Sequence, residues 1–528
     1  MPGIPAPDRD ERGTKVEAHT ELGTPDAGSA GVATALAGGG GAARVRLWPA
    51  VAVAGTLSVA VLLSALRVQP QVWGDPGVWL SVGARLLDGD RLYADVFDNK
   101  DPLFFYSYAA ALWIGGVRGP FVLEVVWLAV AALGMALALR TLRAGTFAMV
   151  AGATVYPLAL TASWYVPGAT MVPALALAPV ALWAWARGSP FWAGIVVVAS
   201  MLLKLNLGLV VAAPLAVLLA FEENRRRRAL EVLAGAGVAA LLAAIVLAIR
   251  GELGPYLDTI VYNVHYSGAG IHDGGVRAHL EIVRVFFAAS GKWQLPAVEL
   301  AVAILLVVTL VGWFRLGRTF RRLSAIAVLT LAAAFVTLAS TAIFVVHAQL
   351  LAYPAALGTA ALVVAFKDHW KPLGVAAAAV CMLFAARATL GQEHLSQLAL
   401  RAWRAEPLST PGLALESTRL RFLPNEERVT YAVFGRNTDD GHAAFVHRMD
   451  LRCRYFVQYP FYRQSQLAET LDCARREQPT LILVTTSFYD PMPGEPAWEA
   501  FVADTRAFLE SRYELVTEKG MSQVWRRK

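Results

Sequence analysis

Long apolar runs recur from about Leu47 to Leu390, and they constrain the fold of this chain more than any other feature. About 20 apolar residues in a helix are enough to cross the hydrocarbon core of a bilayer. Only 16% of the residues are charged, whereas a typical soluble domain carries about 25%. The sequence therefore predicts a polytopic α-helical membrane protein.

The apolar runs divide into about eleven candidate membrane spans. The stretch 190–221 is too long for one span, at roughly 48 Å for a rise of 1.5 Å per residue, so a reversal is predicted at Lys204 and Asn206. The candidates are 47–67, 120–139, 144–162, 168–186, 190–204, 207–221, 229–249, 295–314, 323–346, 349–366 and 372–390.

The apolar segment 102–117 decides the topology. If it lies in the interface as a juxtamembrane helix, all the Arg-rich and Lys-rich loops fall on one side, which the positive-inside rule makes cytoplasmic. The loops 68–119 and 250–294 and the chain after 391 then lie outside. The formal net charge of +7 is explained by this topology, and no nucleic-acid partner is expected.

Composition divides the chain into three regions. Residues 1–43 are rich in Gly, Ala, Pro and charge, which is typical of a disordered tail, here cytoplasmic. Residues 44–390 form the transmembrane domain. Residues 391–528 form an extracytoplasmic soluble α/β domain with candidate strands and helices in alternation. The candidate strands are 429–434, 454–459, 480–486 and 513–517, and the candidate helices are 463–477 and 497–511.

Two of the three cysteines, Cys453 and Cys473, lie in this last region. An oxidising compartment permits a disulfide between them, and two buried free thiols are the alternative. The sequence leaves both open.

The stretch from Trp73 to Tyr106 carries six aspartates directly after the first apolar run. Ionisable groups beside a bilayer are costly to desolvate, so such a cluster indicates a functional site, and a solvated loop is the alternative. Trp79, Val82 and Leu86 share one face of a short predicted helix that Gly89 ends. Asp75 lies at the start of that helix, either as an N-cap or as a catalytic base.

Three motifs carry a family resemblance: GDPG around Asp75, then LLDGDRLYADVFD, then KDPL from Lys100. Together they resemble the polyprenyl-phosphate-sugar-dependent glycosyltransferases of the GT-C superfamily, in the protein-mannosyltransferase and aminoarabinose-transferase-like branch. That branch has an acidic pair followed by a K-P-P-L motif. Here Pro76 stands at the place of the second acid, and KDPL stands for K-P-P-L.

The resemblance implies an inverting glycosyltransferase acting on the outer face of the plasma membrane, with the N-terminus in the cytoplasm. Asp75 would be the general base that activates the acceptor hydroxyl, and Lys100 would neutralise the donor phosphate. Asp98 and Asp101 would bind the substrate, orient the lysine or simply be solvated, and Asp88, Asp90 and Asp95 are expected to be solvated. The donor would be a polyprenyl-phosphate sugar, and the acceptor a glycan, a lipid or a protein.

Further candidate binding residues lie elsewhere on the outer face. His347, in VVHAQLLAYPAAL, resembles a late family motif, with simple packing as the alternative. His265 and Tyr266 are candidates for sugar or acceptor binding, and Tyr165 for the pocket wall. The histidines of 250–294 match no tight metal-binding spacing. No cofactor is expected to be required, and the role of a divalent metal is left open.

Two other function classes compete with the enzyme. A transporter or flippase for a lipid-linked glycan would hold ionisable groups near the bilayer midplane, where the sequence is largely Ala, Val and Leu. Lys204 and Glu124, at span ends, keep this alternative open. A structural scaffold does not explain the acidic first loop.

Overall fold

The computed structural model describes residues 40–68, 75–162, 168–269, 317–339, 345–367, 371–390, 431–434, 453–456, 458, 462–489, 496–519 and 522–528. The chain forms two compact units, Met1–Val53 and Ala54–Lys528, and every contact discussed below lies within the second. Of the predicted tail 1–43, all but the last few residues lie outside the described ranges.

Helices dominate the chain up to Leu390. In order they are α1 (Gly40–Ala65), α2 (Asp75–Leu87), α3 (Pro102–Gly115), α4 (Gly119–Thr141), α5 (Thr146–Leu160), α6 (Met171–Ala176), α7 (Ala178–Ala186), α8 (Pro190–Leu203), α9 (Gly208–Ala220), α10 (Arg225–Ile249), α11 (Leu253–Ala269), α12 (Arg318–Ala339), α13 (Ala352–Lys367) and α14 (Lys371–Leu390). Each predicted span coincides with helix except 295–314, which lies outside the described residues.

Several of these helices are consistent with a membrane protein. Four helical stretches in the described part of the chain are long and apolar enough to cross a bilayer. They are Pro102–Thr141, Arg225–Ile249, Arg318–Leu338 and Gln349–Phe366. Five further apolar helical stretches in the described residues are shorter, at 10–17 residues. The count of eleven spans therefore stays a prediction.

Glycines bring α8 and α10 into close contact. A Cβ atom at Gly194 would lie 2.1 Å from the carbonyl oxygen of Val232, and one at Gly235 would lie 1.9 Å from that of Phe191. Small residues allow helix backbones to approach where no water is present to drive association. These two glycines therefore set the distance between the two helices.

A sharp turn separates α3 from α4. Gly116 has a positive φ of 57° in a short 3-10 turn. A Cβ atom at Gly119 would lie 1.8 Å from the carbonyl oxygen of Ala111, so the start of α4 folds back on the end of α3. Trp113 on α3 is 78% exposed. This geometry agrees with the predicted juxtamembrane helix, whose place in a membrane stays a prediction.

The C-terminal region contains a four-stranded sheet with two helices. Its elements are β1 (Tyr431–Phe434), α15 (Gln464–Glu477), β2 (Leu481–Thr485), α16 (Pro496–Arg512), β3 (Tyr513–Lys519) and β4 (Ser522–Arg527). The strand order is β1-β2-β4-β3, with β1 and β2 parallel and β4 antiparallel to both its neighbours. Trp498, Phe488 and Phe501 pack together in the core.

One predicted strand in this region is wrong. The described residues within 454–459 form no strand, and the carbonyl of Arg454 instead accepts from the Phe97 N–H. The strand β4, which was not predicted, fills the sheet between β2 and β3. Its sequence, SQVWRR, is polar and basic, so its pairing depends on partners far away in the chain.

Candidate functional site

The loop 68–119, which keeps the name first outer loop from its predicted side, contains a folded unit built on α2. Trp79, Val82 and Leu86 are buried, which confirms the predicted inner face of this helix. Gly89 ends it as predicted: its N–H bonds back to the carbonyl of Leu86 at 3.2 Å, and its φ of 98° lets the Asp90 N–H bond back to the carbonyl of Arg85 at 3.0 Å. The loop therefore has a fixed shape around the acids that follow.

Arg85 holds the end of this loop together. Its Nε donates to Asp90 at 2.6 Å, and its Nη2 donates to the backbone carbonyl of Asp95 at 2.7 Å. The prediction that Asp90 is solvated is wrong, because this carboxylate is 6% exposed and is neutralised by the arginine. Asp88, by contrast, is exposed, as predicted.

The segment Asp98–Asn99–Lys100 forms a tight turn around a buried carboxylate. The Lys100 N–H donates to Asp98 Oδ1 at 3.0 Å, and the Lys100 Nζ lies 3.8 Å from the same oxygen. The Lys100 Nζ also donates to the side-chain oxygen of Asn99. An aspartate that accepts from the backbone two residues later forms an Asx-turn. The turn therefore fixes the positions of both the Asp98 carboxylate and the Lys100 side chain.

Two groups outside the turn fix its backbone. The Tyr93 hydroxyl donates to the carbonyl of Lys100 at 2.6 Å, and the Asn263 side chain on α11 donates to the carbonyl of Asn99 at 2.8 Å. Asp98 is only 1% exposed. Burial raises the pKa of this carboxyl, the Lys100 charge opposes that rise, and the Asp75 charge adds to it.

Asp101 joins three parts of the fold. It precedes α3, but its side chain does not cap that helix. Its Oδ2 accepts from the Leu205 N–H at 2.7 Å, and its Oδ1 accepts from the Tyr256 hydroxyl at 2.9 Å. Burial raises its pKa to about 6, against the effect of both hydrogen bonds and of two nearby lysines. Asp101 thus has a structural role in joining these segments, and its role in substrate binding stays a prediction.

Lys204 was not among the predicted site residues, but the structure brings it close to Asp101 and Lys100. It follows α8 in an extended conformation, at the break in the apolar run 190–221. Its charge lies within electrostatic range of Lys100, Asp101 and Asp75. Its position, an ionisable residue at a break in an apolar run, was the feature of the sequence that could have identified Lys204 as a site residue. We call Asp75, Asp98, Lys100, Asp101 and Lys204 the charged cluster.

Asp75 is the first residue of α2 and is partly exposed. Free N–H groups at a helix N-terminus favour a negative charge there. Its charge acts on Asp98 and Lys204, so the structure brings it together with the Asp98–Lys100 turn.

Part of the predicted outer loop 250–294 is helical, because residues 253–269 form α11; its side of the membrane stays a prediction. Glu252, just before this helix, is fully buried and was also missed. It accepts from the Leu92 N–H at 3.0 Å, from Arg250 Nε at 2.9 Å and from the Tyr106 hydroxyl. It therefore ties α11 to the first outer loop and to α3.

The C-terminal region reaches the same loop. Arg85 Nη1 donates to the carbonyl of Cys453 at 2.6 Å, and the Phe97 N–H donates to the carbonyl of Arg454 at 2.9 Å. Cys453 forms a disulfide with Cys473 on α15, which answers the question that the sequence left open. Phe97, the residue before Asp98, is thus held in place by the C-terminal region.

A small apolar groove, with room for no more than about one water molecule, lies between α3, α4 and the start of α6. Tyr108 in its wall is within electrostatic range of Asp75, and its hydroxyl donates to the carbonyl of Gly168 at 2.9 Å. Glu124, buried in the wall, accepts from the Gly168 N–H. The groove is lined by Phe104, Ser107, Tyr108, Pro120, Leu123, Glu124, Trp127, Gly168, Ala169 and Pro173.

The remaining predicted site residues lie outside the charged cluster or outside the described residues. His347 is buried in a 3-10 turn, Val345–Leu351, before α13. Tyr165 lies outside the described residues, and so do the side chains of His265 and Tyr266, whose backbone belongs to α11. In the described part of the chain, no three His, Cys, Asp or Glu side chains are grouped to hold a metal ion.

Comparison with known proteins identifies the fold. No protein family description matches the sequence, and no curated protein does. The structure is similar to ArnT from Cupriavidus metallidurans bound to undecaprenyl phosphate, with a TM-score of 0.53 and 14% identity. The match covers 90% of this chain and 97% of that one. The chain therefore shares the fold of that structure.

Two further solved structures are similar over most of this chain. One is the archaeal oligosaccharyltransferase AglB from Archaeoglobus fulgidus in complex with an inhibitory peptide and a dolichol-phosphate. Its TM-score is 0.44 at 15% identity, with 90% of this chain and 74% of that one covered. The other is the arabinofuranosyltransferase AftD from Mycobacteria, with a TM-score of 0.44 and 13% identity. That match covers 91% of this chain and 40% of the other. The fold assignment depends on ArnT alone.

Proposed function

We propose that this chain is a membrane glycosyltransferase that moves a sugar from a polyprenyl-phosphate donor to a hydroxyl acceptor on the outer face of the membrane. The ArnT structure that shares its fold is bound to undecaprenyl phosphate, a lipid phosphate of the proposed kind. The observation that carries the proposal is the charged cluster, in which the partly exposed Asp75 acts electrostatically on Asp98 and Lys204, and Asp98 in turn lies 3.8 Å from the Lys100 ammonium.

Asp75 is the proposed general base. An alcohol is a weak nucleophile at neutral pH, and a positioned carboxylate helps by accepting its proton. Asp98 and Asp101 are 1% and 6% exposed, and each accepts hydrogen bonds within the protein. Asp75, partly exposed at the start of α2, is the acid of the cluster that an acceptor can reach.

The proposed reaction is a single displacement. The acceptor oxygen attacks the anomeric carbon as the bond from that carbon to the phosphate oxygen breaks. The electron pair of that bond leaves with the lipid phosphate, and the acceptor proton passes to Asp75. Attack from the side opposite the leaving group inverts the anomeric centre. Lys100 and Lys204 stabilise the charge of the departing phosphate.

The surroundings fit this assignment. The disulfide between Cys453 and Cys473 is typical of an oxidising compartment, which supports an extracytoplasmic C-terminal region. Tyr165, His265, Tyr266 and His347 are proposed to contact sugar or acceptor.

The test uses purified protein in liposomes with a panel of labelled polyprenyl-phosphate sugars and membrane extract as acceptor. We expect one label to move to an acceptor, and replacement of Lys100 by Met to raise the donor KM or lower kcat. Transfer of no label by the wild-type protein would refute the proposal.

A carrier of lipid-linked glycans is the second candidate, because the break between α8 and α9 at Lys204 resembles the discontinuous helices of transporters. The same liposomes separate the two functions. A carrier moves the labelled lipid between leaflets without breaking the bond to its sugar.

A further inference from the structure

The C-terminal region contributes residues that touch the segment directly before Asp98. We call Cys453, Arg454, Tyr455, Phe456 and Tyr462 the clamp. Two of its backbone carbonyls accept hydrogen bonds from the first outer loop, as described above. Arg85 also lies over the ring of Phe456, at 6.0 Å from the ring centre. The clamp therefore holds the loop at both ends of the segment from Arg85 to Phe97.

Phe97 is the centre of an aromatic cluster between the loop, α11 and the clamp. Its ring centre lies 5.0 Å from that of Tyr455, 5.9 Å from that of Tyr462 and 5.6 Å from that of Tyr262. Aromatic pairs at such distances contribute beyond their buried area. Each of these rings has little freedom to move while the others are in place.

The clamp is itself held rigid. The Cys453–Cys473 disulfide links it to α15, with a Cα–Cα distance of 5.8 Å. The Thr470 hydroxyl on that helix donates to the carbonyl of Tyr455 at 3.3 Å. Gln466, one turn earlier, donates to the Tyr455 hydroxyl at 3.5 Å. A short segment without strand or helix is thereby made into a fixed surface.

The position of this surface links it to the chemistry. Phe97 is covalently joined to Asp98, and Asp98 lies within electrostatic range of Tyr462. Asp98 in turn orients Lys100 through the Asx-turn. Movement of Phe97 by about an ångström would therefore displace the lysine, and misplacement on that scale costs on the order of 100-fold in rate.

We propose that the clamp is a positioning element of the transfer site: through Phe97 it fixes the Asp98–Lys100 turn, and the Cys453–Cys473 disulfide keeps it in place. This inference rests on the proposed function for its catalytic consequence, and on geometry alone for its effect on the turn. It gives the C-terminal region a specific role at the site.

The first test follows the turn itself by amide hydrogen exchange and does not depend on sugar transfer. The double substitution Cys453→Ala/Cys473→Ala is compared with Cys381→Ala, which removes a cysteine that forms no disulfide. We expect the amides of Phe97 and Lys100 to exchange at least tenfold faster in the double variant only. Unchanged exchange at Lys100 would overturn the proposal.

The second test measures transfer kinetics with the disulfide intact. Tyr462→Ala should lower kcat/KM by tenfold or more, and Tyr462→Phe, which keeps the ring, should restore it. The loss should appear in kcat and the donor KM, because Lys100 faces the donor. Wild-type kinetics in Tyr462→Ala would overturn the positioning role. Absence of transfer by the wild-type protein would instead refute the proposed function and leave the exchange result to decide on the clamp.

Discussion

Asp101 should make the protein less stable as the pH rises. Its carboxylate is buried, so ionisation in the folded chain is costly, and its two hydrogen bonds reduce that cost only in part. The perturbation is Asp101→Asn, which keeps the shape of the side chain and removes its charge. The amide still accepts from Tyr256 or Leu205, but its NH2 group cannot accept from the other donor.

The expected magnitude follows from the pKa. In the folded chain the pKa of Asp101 is raised from 3.8 to about 6. Between these values the unfolded chain has lost the proton and the folded chain retains it, so stability falls as pH rises through this window. At 1.36 kcal/mol per pKa unit, the full effect is about 3 kcal/mol, of which about 2 kcal/mol falls between pH 4.5 and 7.5.

The assay is the difference in free energy of unfolding between wild type and Asp101→Asn, measured in detergent–SDS mixed micelles at several pH values. Groups far from Asp101 titrate alike in both proteins and cancel. The stability advantage of wild type should be largest at pH 4.5 and should shrink by about 2 kcal/mol by pH 7.5. An advantage that grows with pH would refute the reasoning, because it would show that the nearby lysines lower the pKa of Asp101.

Three further predictions concern packing, a buried charge and topology. Gly194→Ala should lower the free energy of unfolding by about 1–3 kcal/mol by pushing α8 from α10, whereas Gly237→Ala, with open space around it, should not lower it; thermal midpoints compare the two. Glu252→Gln should cost about 1.5–3 kcal/mol by weakening charged hydrogen bonds, and Glu231→Gln, in an exposed pair with Arg227, should cost less than about 1 kcal/mol. A reporter fused after Lys528 should be active only in an extracytoplasmic format, and activity in a cytoplasmic format would reverse the assigned sides.

Local patterns were sufficient to predict the elements of the first outer loop. The i, i+3, i+7 spacing of Trp79, Val82 and Leu86 gave the buried face of α2, and Gly89 gave its end. Periodicity and turn chemistry depend on residues close together in sequence, so a single chain reveals them. The same applies to the apolar runs that became helices.

Contacts between distant segments were not predictable. Asp101 contacts Leu205, Glu252 contacts Leu92, and Arg454 contacts Phe97, each pair more than a hundred residues apart. No local pattern records which backbone N–H a buried carboxylate will satisfy. The solvated interpretation of Asp90 was wrong for a related reason, because its partner Arg85 reaches it only after Gly89 turns the chain.

The most direct test of the proposed chemistry is a single-turnover assay of Asp75→Asn with the labelled donor already bound. The asparagine cannot accept the acceptor's proton, so we expect donor affinity near that of wild type and a transfer rate lower by about 100-fold or more. Asp88→Asn, an exposed aspartate of the same loop, should transfer at the wild-type rate. A transfer rate in Asp75→Asn within a few-fold of wild type would contradict the assignment of Asp75 as the base.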